Sequence, residues 1–319
     1  MKSFESRPPE APARSETNTI PDPEREKVLE RRTRTLLVCP DNDPESRMIQ
    51  DLARHMDMAV LSSRQMHGAT LEKEEGFMAR VAAAHKGEVW IVEMPGPELE
   101  EQLRKQGQSV HVIDHHTYGT LDRAKDPKTG ERRRSSLEQF LDEAGLTDEE
   151  LQQWGYDPKT VRGLGIFDDR FAQGLRDAGY TQQEIAAVVD LGTKLSREMN
   201  PVFDEIAQAA DTDWDHREDW NGYILVRSEF KRDVRGAISH RTIREGMDTQ
   251  PLIVSSCGGR KIFVHNLAPA LIDRLKTEIP SQDTFTFGAG RCWGYDNKGR
   301  SAVVTLDDIL SVLSKEEHG

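Results

Sequence analysis

From Thr35 onward the chain repeats one pattern, a short apolar run followed by an amphipathic stretch of helical length. The runs are Leu36-Leu37-Val38, Ala59-Val60-Leu61, Val89-Trp90-Ile91-Val92 and Val110-His111-Val112-Ile113. The stretches between them cover about 45–56, 71–85 and 98–106. Four strands separated by three helices are the sequence form of consecutive strand-helix-strand crossovers, which predicts a parallel sheet with helices on both faces. The expected fold class is therefore α/β.

The flanking segments read differently. Before the alternation, Pro8, Pro9, Pro12, Pro21 and Pro23 stand among Glu, Arg, Ser and Thr with almost nothing apolar to bury, so residues 1–33 are expected to form a disordered tail. Residues from about 135 to 210 read as helical, with capping-box starts at Ser135/Glu138, Thr147/Glu150 and Thr181/Glu184. After Asp211-Thr212-Asp213-Trp214-Asp215 the texture changes to strand-like runs at Tyr223–Val226, Leu252–Ser255, Ile262–Val264 and Ala302–Thr305. Two helices, over about 269–279 and 306–314, are interleaved with them. The expected domains are thus a parallel-sheet domain with a helical layer over 34–210 and a smaller α+β domain over 211–319. A length of 319 residues is enough for two such cores.

Composition removes several classes of function. No run approaches the roughly 18 uncharged apolar residues that a membrane helix needs, so no membrane partner is expected. The net charge of -13, from 56 acidic and 43 basic side chains, opposes stable binding of duplex nucleic acid through the overall field. Cys39, Cys257 and Cys292 show neither C-x-x-C spacing nor a pairing pattern, and no signal-peptide core precedes them, which points to a reducing cytoplasm.

In an open parallel sheet, ligands bind beyond the carboxyl ends of the strands. The first strand here ends in Cys39-Pro40-Asp41-Asn42-Asp43, the third at Glu93 and the fourth in Asp114-His115-His116. Asp41 and Asp43 are spaced to share one side of extended backbone, although Asp43 before Pro44-Glu45 also reads as a helix N-cap. Two like charges about 4 Å apart repel by roughly 4 kcal/mol at an effective dielectric of 20. Such a rim therefore needs either protonated carboxyls or a divalent cation. Carboxylates plus imidazoles, with Cys39 read as a buried small hydrophobe, favour Mn²⁺, with Mg²⁺ also suited, over a structural zinc.

At Val112-Ile113-Asp114-His115-His116 the sequence resembles the DHH phosphoesterase superfamily, whose members include RecJ-type exonucleases, nano-RNases and cyclic dinucleotide phosphodiesterases. The resemblance covers about 35–211 and identifies the chain as a divergent member. It implies metal ligation by Asp41, Asp43, Glu93 and His115, with His116 facing the substrate phosphate and Asp114 as its acidic partner. Gly165-Ile166-Phe167-Asp168-Asp169 matches the family's fourth motif, making Asp169 the implied ligand and Asp168 the alternate. Two positions depart from the pattern: Leu37 stands where many members have a histidine, and Glu93 stands where they have an aspartate. The family's glycine-rich substrate element has two counterparts here, Cys257-Gly258-Gly259-Arg260-Lys261 and Phe287-Gly288-Ala289-Gly290-Arg291, each followed by an arginine in place of the histidine. Arg260, Arg291, Gly288 and Gly290 are the expected substrate contacts, because glycines admit backbone N–H groups to a phosphate that guanidinium can hold. Arg241 is a further candidate.

The implied activity is hydrolysis of phosphoester bonds in small nucleotides or short single-stranded nucleic acid by a manganese-dependent phosphoesterase, with one or two ions. The alternative is a degenerate member that binds nucleotide or phosphate without turnover. Homodimerisation is left open by the sequence.

Overall fold

The computed structural model describes residues 23–66, 68–84, 86–288, 290–300 and 303–314. Its first layer is a four-stranded sheet of β1 (Thr35–Pro40), β2 (Ala59–Ser63), β3 (Glu88–Val92) and β4 (Ser109–Ile113). All pairings are parallel, in the order β2-β1-β3-β4. The fold is therefore α/β, as the alternation predicts. Three helices cross between these strands: α2 (Pro44–His55), α3 (Phe77–Ala84) and α4 (Pro97–Lys105), and α1 (Pro23–Thr33) precedes them. The expected helix over 71–85 is divided, with a 3₁₀ turn at Leu71–Lys73 ahead of α3. Because the chain goes from β1 outward to β2 and then returns to β3 on the other side, β1 and β3 flank a topological switch point.

A short hairpin of β5 (Thr117–Tyr118) and β6 (Leu121–Asp122) leads into the helical layer: α5 (Ser136–Glu143), α6 (Asp148–Gln153), α7 (Pro158–Asp177) and α8 (Gln182–Met199). The three capping boxes read from sequence start α5, α6 and α8. These helices bury Leu137, Phe140, Leu164 and Val188 against α2 and the β1 side of the sheet in one core, which also holds Leu37, Met48 and Trp90.

After α9 (Phe203–Asp215) comes a second, mixed sheet of six strands, β7 (Glu218–Trp220), β8 (Tyr223–Arg227), β9 (Leu252–Ser256), β10 (Lys261–His265), β11 (Thr284–Phe287) and β12 (Cys292–Asp296), in the order β11-β12-β10-β9-β8-β7. Helix α10 (Arg235–Arg244) crosses between β8 and β9, while α11 (Pro269–Glu278) and α12 (Leu306–Leu313) cover the opposite face around Trp293 and Tyr295. The boundary expected at 210 falls inside α9, whose Ala210 and Trp214 pack with Ile224, Val226 and Ile238 of this second unit. The strand expected at 302–305 does not form among the described residues: Val303 and Val304 make a bend, and Thr305 caps α12. Among the described residues no helix is long and apolar enough to cross a membrane.

Residues 1–22 of the expected tail lie outside the described residues, but residues 23–33 form α1, correcting the reading of that stretch as disordered. The reason is not apolar burial. Arg32 is only 3% exposed; its Nε donates to the Ala144 carbonyl at 2.8 Å, its Nη2 to the Gly145 carbonyl at 2.9 Å, and its Nη1 to Glu150 at 2.7 Å. A composition rule that weighs hydrophobicity alone cannot register such an anchor.

Burial raises the Glu150 carboxyl, but the hydrogen bonds from Arg32, the Thr147 amide and Arg25 outweigh it and hold the pKa at about 2. A depressed carboxyl contributes stability that is present above its unfolded pKa of about 4.3 and disappears as pH falls through about 2. After solvent screening, the contribution is about 1 kcal/mol. The change in urea-unfolding free energy between pH 7 and pH 2.5 is expected to differ by about 1 kcal/mol between wild type and Glu150→Gln, whereas Arg32→Met is expected to lose about 3 kcal/mol at pH 7 by leaving the buried Ala144 carbonyl without its donor and Glu150 with Arg25 as its one remaining cation.

Candidate metal and phosphoester site

The ends of three adjacent strands converge at the switch point. Beyond β1, Asp43 caps α2, its Oδ1 accepting from the Ser46 amide at 2.8 Å, and Pro44 and Glu45 enter the first turn. Beyond β3, Glu93 takes a left-handed backbone with φ of 49°, costly for a residue with a Cβ, and turns its carboxyl into the same space. Beyond β4 come Asp114, His115 and His116. From the helical layer, α7 brings Asp168.

Donor atoms of Glu45, Glu93, His115 and Asp168 all lie within 4.8 Å of one another, and Glu93, His115 and His116 form an overlapping group. The His115 Nε2 is 3.4 Å from Asp168 Oδ2 and 3.9 Å from Glu93 Oε1. The His116 ring lies 4.3 Å from that of His115, with its Nδ1 3.2 Å from Asp114 Oδ1. Asp114 is fully buried, and its Oδ1 also accepts from the His116 amide at 2.9 Å and from the Tyr118 hydroxyl at 3.3 Å. Glu45 Oε2, Glu93 Oε1, Asp114 Oδ2 and His115 Nδ1 are buried without a hydrogen-bond partner among the described residues.

Burial, and after it the crowding of charge, sets the protonation. Burial, followed by Asp168 and Glu93, pushes Glu45 well up. Burial and Asp43 raise Glu93 to about 7. Burial opposes charge on both histidines, yet Asp168 and Glu93 raise His115, and Asp114 and Glu93 hold His116 at about 9. Burial, Glu93 and Asp43 push the Cys39 thiol up as well, which keeps it out of thiolate chemistry and fits its reading as a small hydrophobe.

Several expected residues stand elsewhere. Asp41 pairs with Arg47 at 3.7 Å and does not join the tight group, though its buried Oδ1 also lacks a hydrogen-bond partner among the described residues. Asp169 pairs with Arg132 and Arg170, so the neighbouring Asp168 occupies the cluster in its place; one helical step turns a side chain by about 100°. Leu37 is fully buried in the core, so no polar group reaches the site from that position. The two glycine segments lie at opposite ends of the second sheet, since Lys261 pairs with Asp296 and Val264 with Trp293. Arg260 is tied to the carbonyls of Cys257 and Lys231 at its own end. Gly288 and Arg291 instead line a cleft with Phe171, two residues beyond Asp169 on α7. The exposed Gly290 sits in the same turn. Arg241 is held by Asp211 and Glu245. Sequence reading missed Glu45, whose only local signal is an acidic residue in a first helical turn; its burial depends on the Leu137 amide, which donates to Oε1 at 2.8 Å from 92 residues away.

A carboxyl raised to about 7 is worth most to the fold when protonated, so stability falls as pH rises from about 4.3 through 7, and the raised His116 loses its contribution as pH rises through about 9. Thermal unfolding in EDTA is expected to show a melting temperature that declines from pH 5 to pH 9. Glu93→Gln removes the lower part of that decline, and a wild type with no slope would contradict the electrostatic assignment.

No protein-family model and no curated relative matches this sequence. Over 92% of its length the chain is similar to RecJ in complex with Mn²⁺ from Thermus thermophilus, at 11% identity and a TM-score of 0.45, and it spans 54% of that chain, about half. A DHH domain from a member of the s1p family of ribosomal proteins is matched over 92% of this chain and 88% of that one, at 13% identity and a TM-score of 0.45. A pGpG-specific phosphodiesterase from Vibrio cholerae is matched over 88% of this chain and 96% of that one, at 9% identity and a TM-score of 0.43.

Proposed function

We propose that this chain is a metal-dependent phosphoesterase that hydrolyses phosphoester bonds in short single-stranded oligonucleotides, cyclic dinucleotides or nucleotide phosphates. The observation that supports it is the gathering of Glu45, Glu93, His115 and Asp168, three of which carry buried donor atoms with no hydrogen-bond partner among the described residues. An oxygen-rich set with one or two imidazoles fits Mn²⁺ or Mg²⁺, and Glu45, Glu93, His115 and Asp168 would hold the ion, with Asp43 beside them. What a divalent ion supplies in such a site is a water acidic enough to yield hydroxide near neutral pH, together with charge to offset that of a phosphate.

The remaining groups suit the other half of the reaction. His116, its side chain 44% exposed, is oriented by Asp114 and carries a proton up to about pH 9. It can therefore donate to a phosphoryl oxygen as negative charge develops there. Burial and Asp114 keep the Tyr118 hydroxyl protonated, so it steadies Asp114 as a donor and does not act as a base. Arg132, exposed and paired with Asp169 next to Asp168 in sequence, adds cationic charge near the cluster.

A second reading, binding without turnover, is favoured by Leu37 in the core and by the longer arm of Glu93. Manganese-dependent cleavage of a dinucleotide decides between them, followed by liquid chromatography. His116→Gln is expected to lower kcat about 10²- to 10⁴-fold with Mn²⁺ affinity changed less than threefold, and wild-type kcat is expected to fall above pH 9. His115→Ala is expected to weaken Mn²⁺ binding at least tenfold by calorimetry. Full activity in either variant would overturn the reading.

A further inference from the structure

Where α7 and α10 meet the His265 end of β10 and the turn after β11, they enclose a cleft of about 170 Å³ that the cluster above does not line. Three polar residues on its wall are buried: Ser239 is 8% exposed, His265 is 6% exposed, and the Asp248 side chain is 5% exposed. Each carries an atom with no hydrogen-bond partner among the described residues, namely Ser239 Oγ, Asp248 Oδ1 and His265 Nε2. Buried polar atoms are satisfied in the great majority of cases, so three unsatisfied ones around one cleft call for a ligand that satisfies them.

The wall is also fixed in place. Asp248 is paired through Oδ2 with Arg176, and its carbonyl accepts from Asn266 Nδ2 at 2.6 Å. His265 packs edge-on against Phe287, and burial together with the nearby Arg235 keeps it neutral down to about pH 3, so its ring offers a hydrogen bond without a charge. Phe171 and Leu252 supply apolar surface. Phe171 interrupts α7 with φ of 55° and ψ of -161°, a conformation that residues with a Cβ scarcely adopt, and Asn266 has φ of 60°. Backbone held this far from its minima clusters where a ligand is clamped.

We infer that this cleft is a base-binding pocket for a nucleobase of the guanine class. A wall that combines the apolar side chains of Phe171 and Leu252 with the buried polar residues Ser239, Asp248 and His265 suits a heterocycle read at its edge. Asp248 Oδ1 is an acceptor only, and guanine is the base that sets a ring N–H and an exocyclic amino group side by side on its pairing edge. Adenine and cytosine put a lone pair against the carboxylate, and uracil offers one N–H between two carbonyls. Whole small ligands occupy roughly 300–1,000 Å³, so this cleft takes one ring system and leaves sugar and phosphate outside. There Arg291 is exposed, and Asp168 of the acid cluster precedes Phe171 by three residues on α7. The pocket rests on the phosphoester reading only in that the base would belong to the same substrate.

Calorimetric titration of the full chain in EDTA, with GMP, IMP, AMP, UMP and ribose 5-phosphate, tests this without turnover. GMP is expected to bind at least tenfold more tightly than AMP or UMP, with IMP, which lacks the 2-amino group, several-fold weaker than GMP. Ribose 5-phosphate is expected to show no binding. Asp248→Asn should erase the preference for GMP over AMP, and Ser239→Ala should weaken GMP a few fold. Because Asp248→Asn also loosens Arg176, the comparison of GMP with IMP on the unaltered chain makes the same test without a substitution. Equal binding of all five compounds, as in capture of phosphate by arginines, or binding of none, would overturn the pocket. Metal-dependent hydrolysis with no base selectivity would overturn the pocket alone, and base selectivity without hydrolysis would overturn the proposed activity alone.

Discussion

Three carboxyl groups, from Glu45, Glu93 and Asp168, share a mostly buried space with His115 at the switch point of the parallel sheet. Like charges so close repel by several kcal/mol even in a partly polarisable interior, and the surrounding structure can be read as the means of holding them there. Glu45 sits in the first turn of α2, where the helix dipole favours a negative end, and a backbone amide of α5 fixes one of its oxygens. Glu93 accepts a left-handed backbone to reach the site. His115 lies between two of the carboxyls and is drawn toward its charged form by both.

The frame that resists this repulsion is the apolar packing on either side of the sheet. β1 is buried at every residue, and the core that holds Leu37, Trp90 and Phe140 ties the strands to α2 and the helical layer. A frame of that kind has no room for rearrangement. Glu93 and His115 accordingly come from strand ends and Glu45 from a helix start, where the chain leaves the core, while Asp168 comes from the middle of α7.

Helix α7 joins the two halves of the molecule. Its first part brings Asp168 to the acid cluster; after the break at Phe171 its second part borders the second sheet, with Arg176 paired to Asp248. Helix α10 adds the reciprocal contacts, with Arg244 2.8 Å from Asp190 and Ile243 seated in the first core. The base pocket we infer lies on this joint, so the same helix that carries Asp168 of the acid cluster also carries a wall of the pocket.

The alternation of apolar runs and amphipathic stretches determined the parallel sheet, because a strand buried on both faces has to be apolar along its length and a crossover has to be amphipathic. Capping boxes marked α5, α6 and α8 because those bonds are local. The rule that ligands bind at strand ends pointed to Glu93, Asp114, His115 and His116, whose side chains lie together in the structure. What the sequence left undecided depended on contacts between distant segments. Glu45 against Leu137, Arg32 against Ala144 and Glu150, and Ser239, Asp248 and His265 around one cleft carry no pattern in a linear reading. Nor could the order of letters choose between Asp168 and Asp169. Both fit the motif, and only the rotation of α7 against the sheet decided which carboxylate joins the cluster and which one pairs with Arg132.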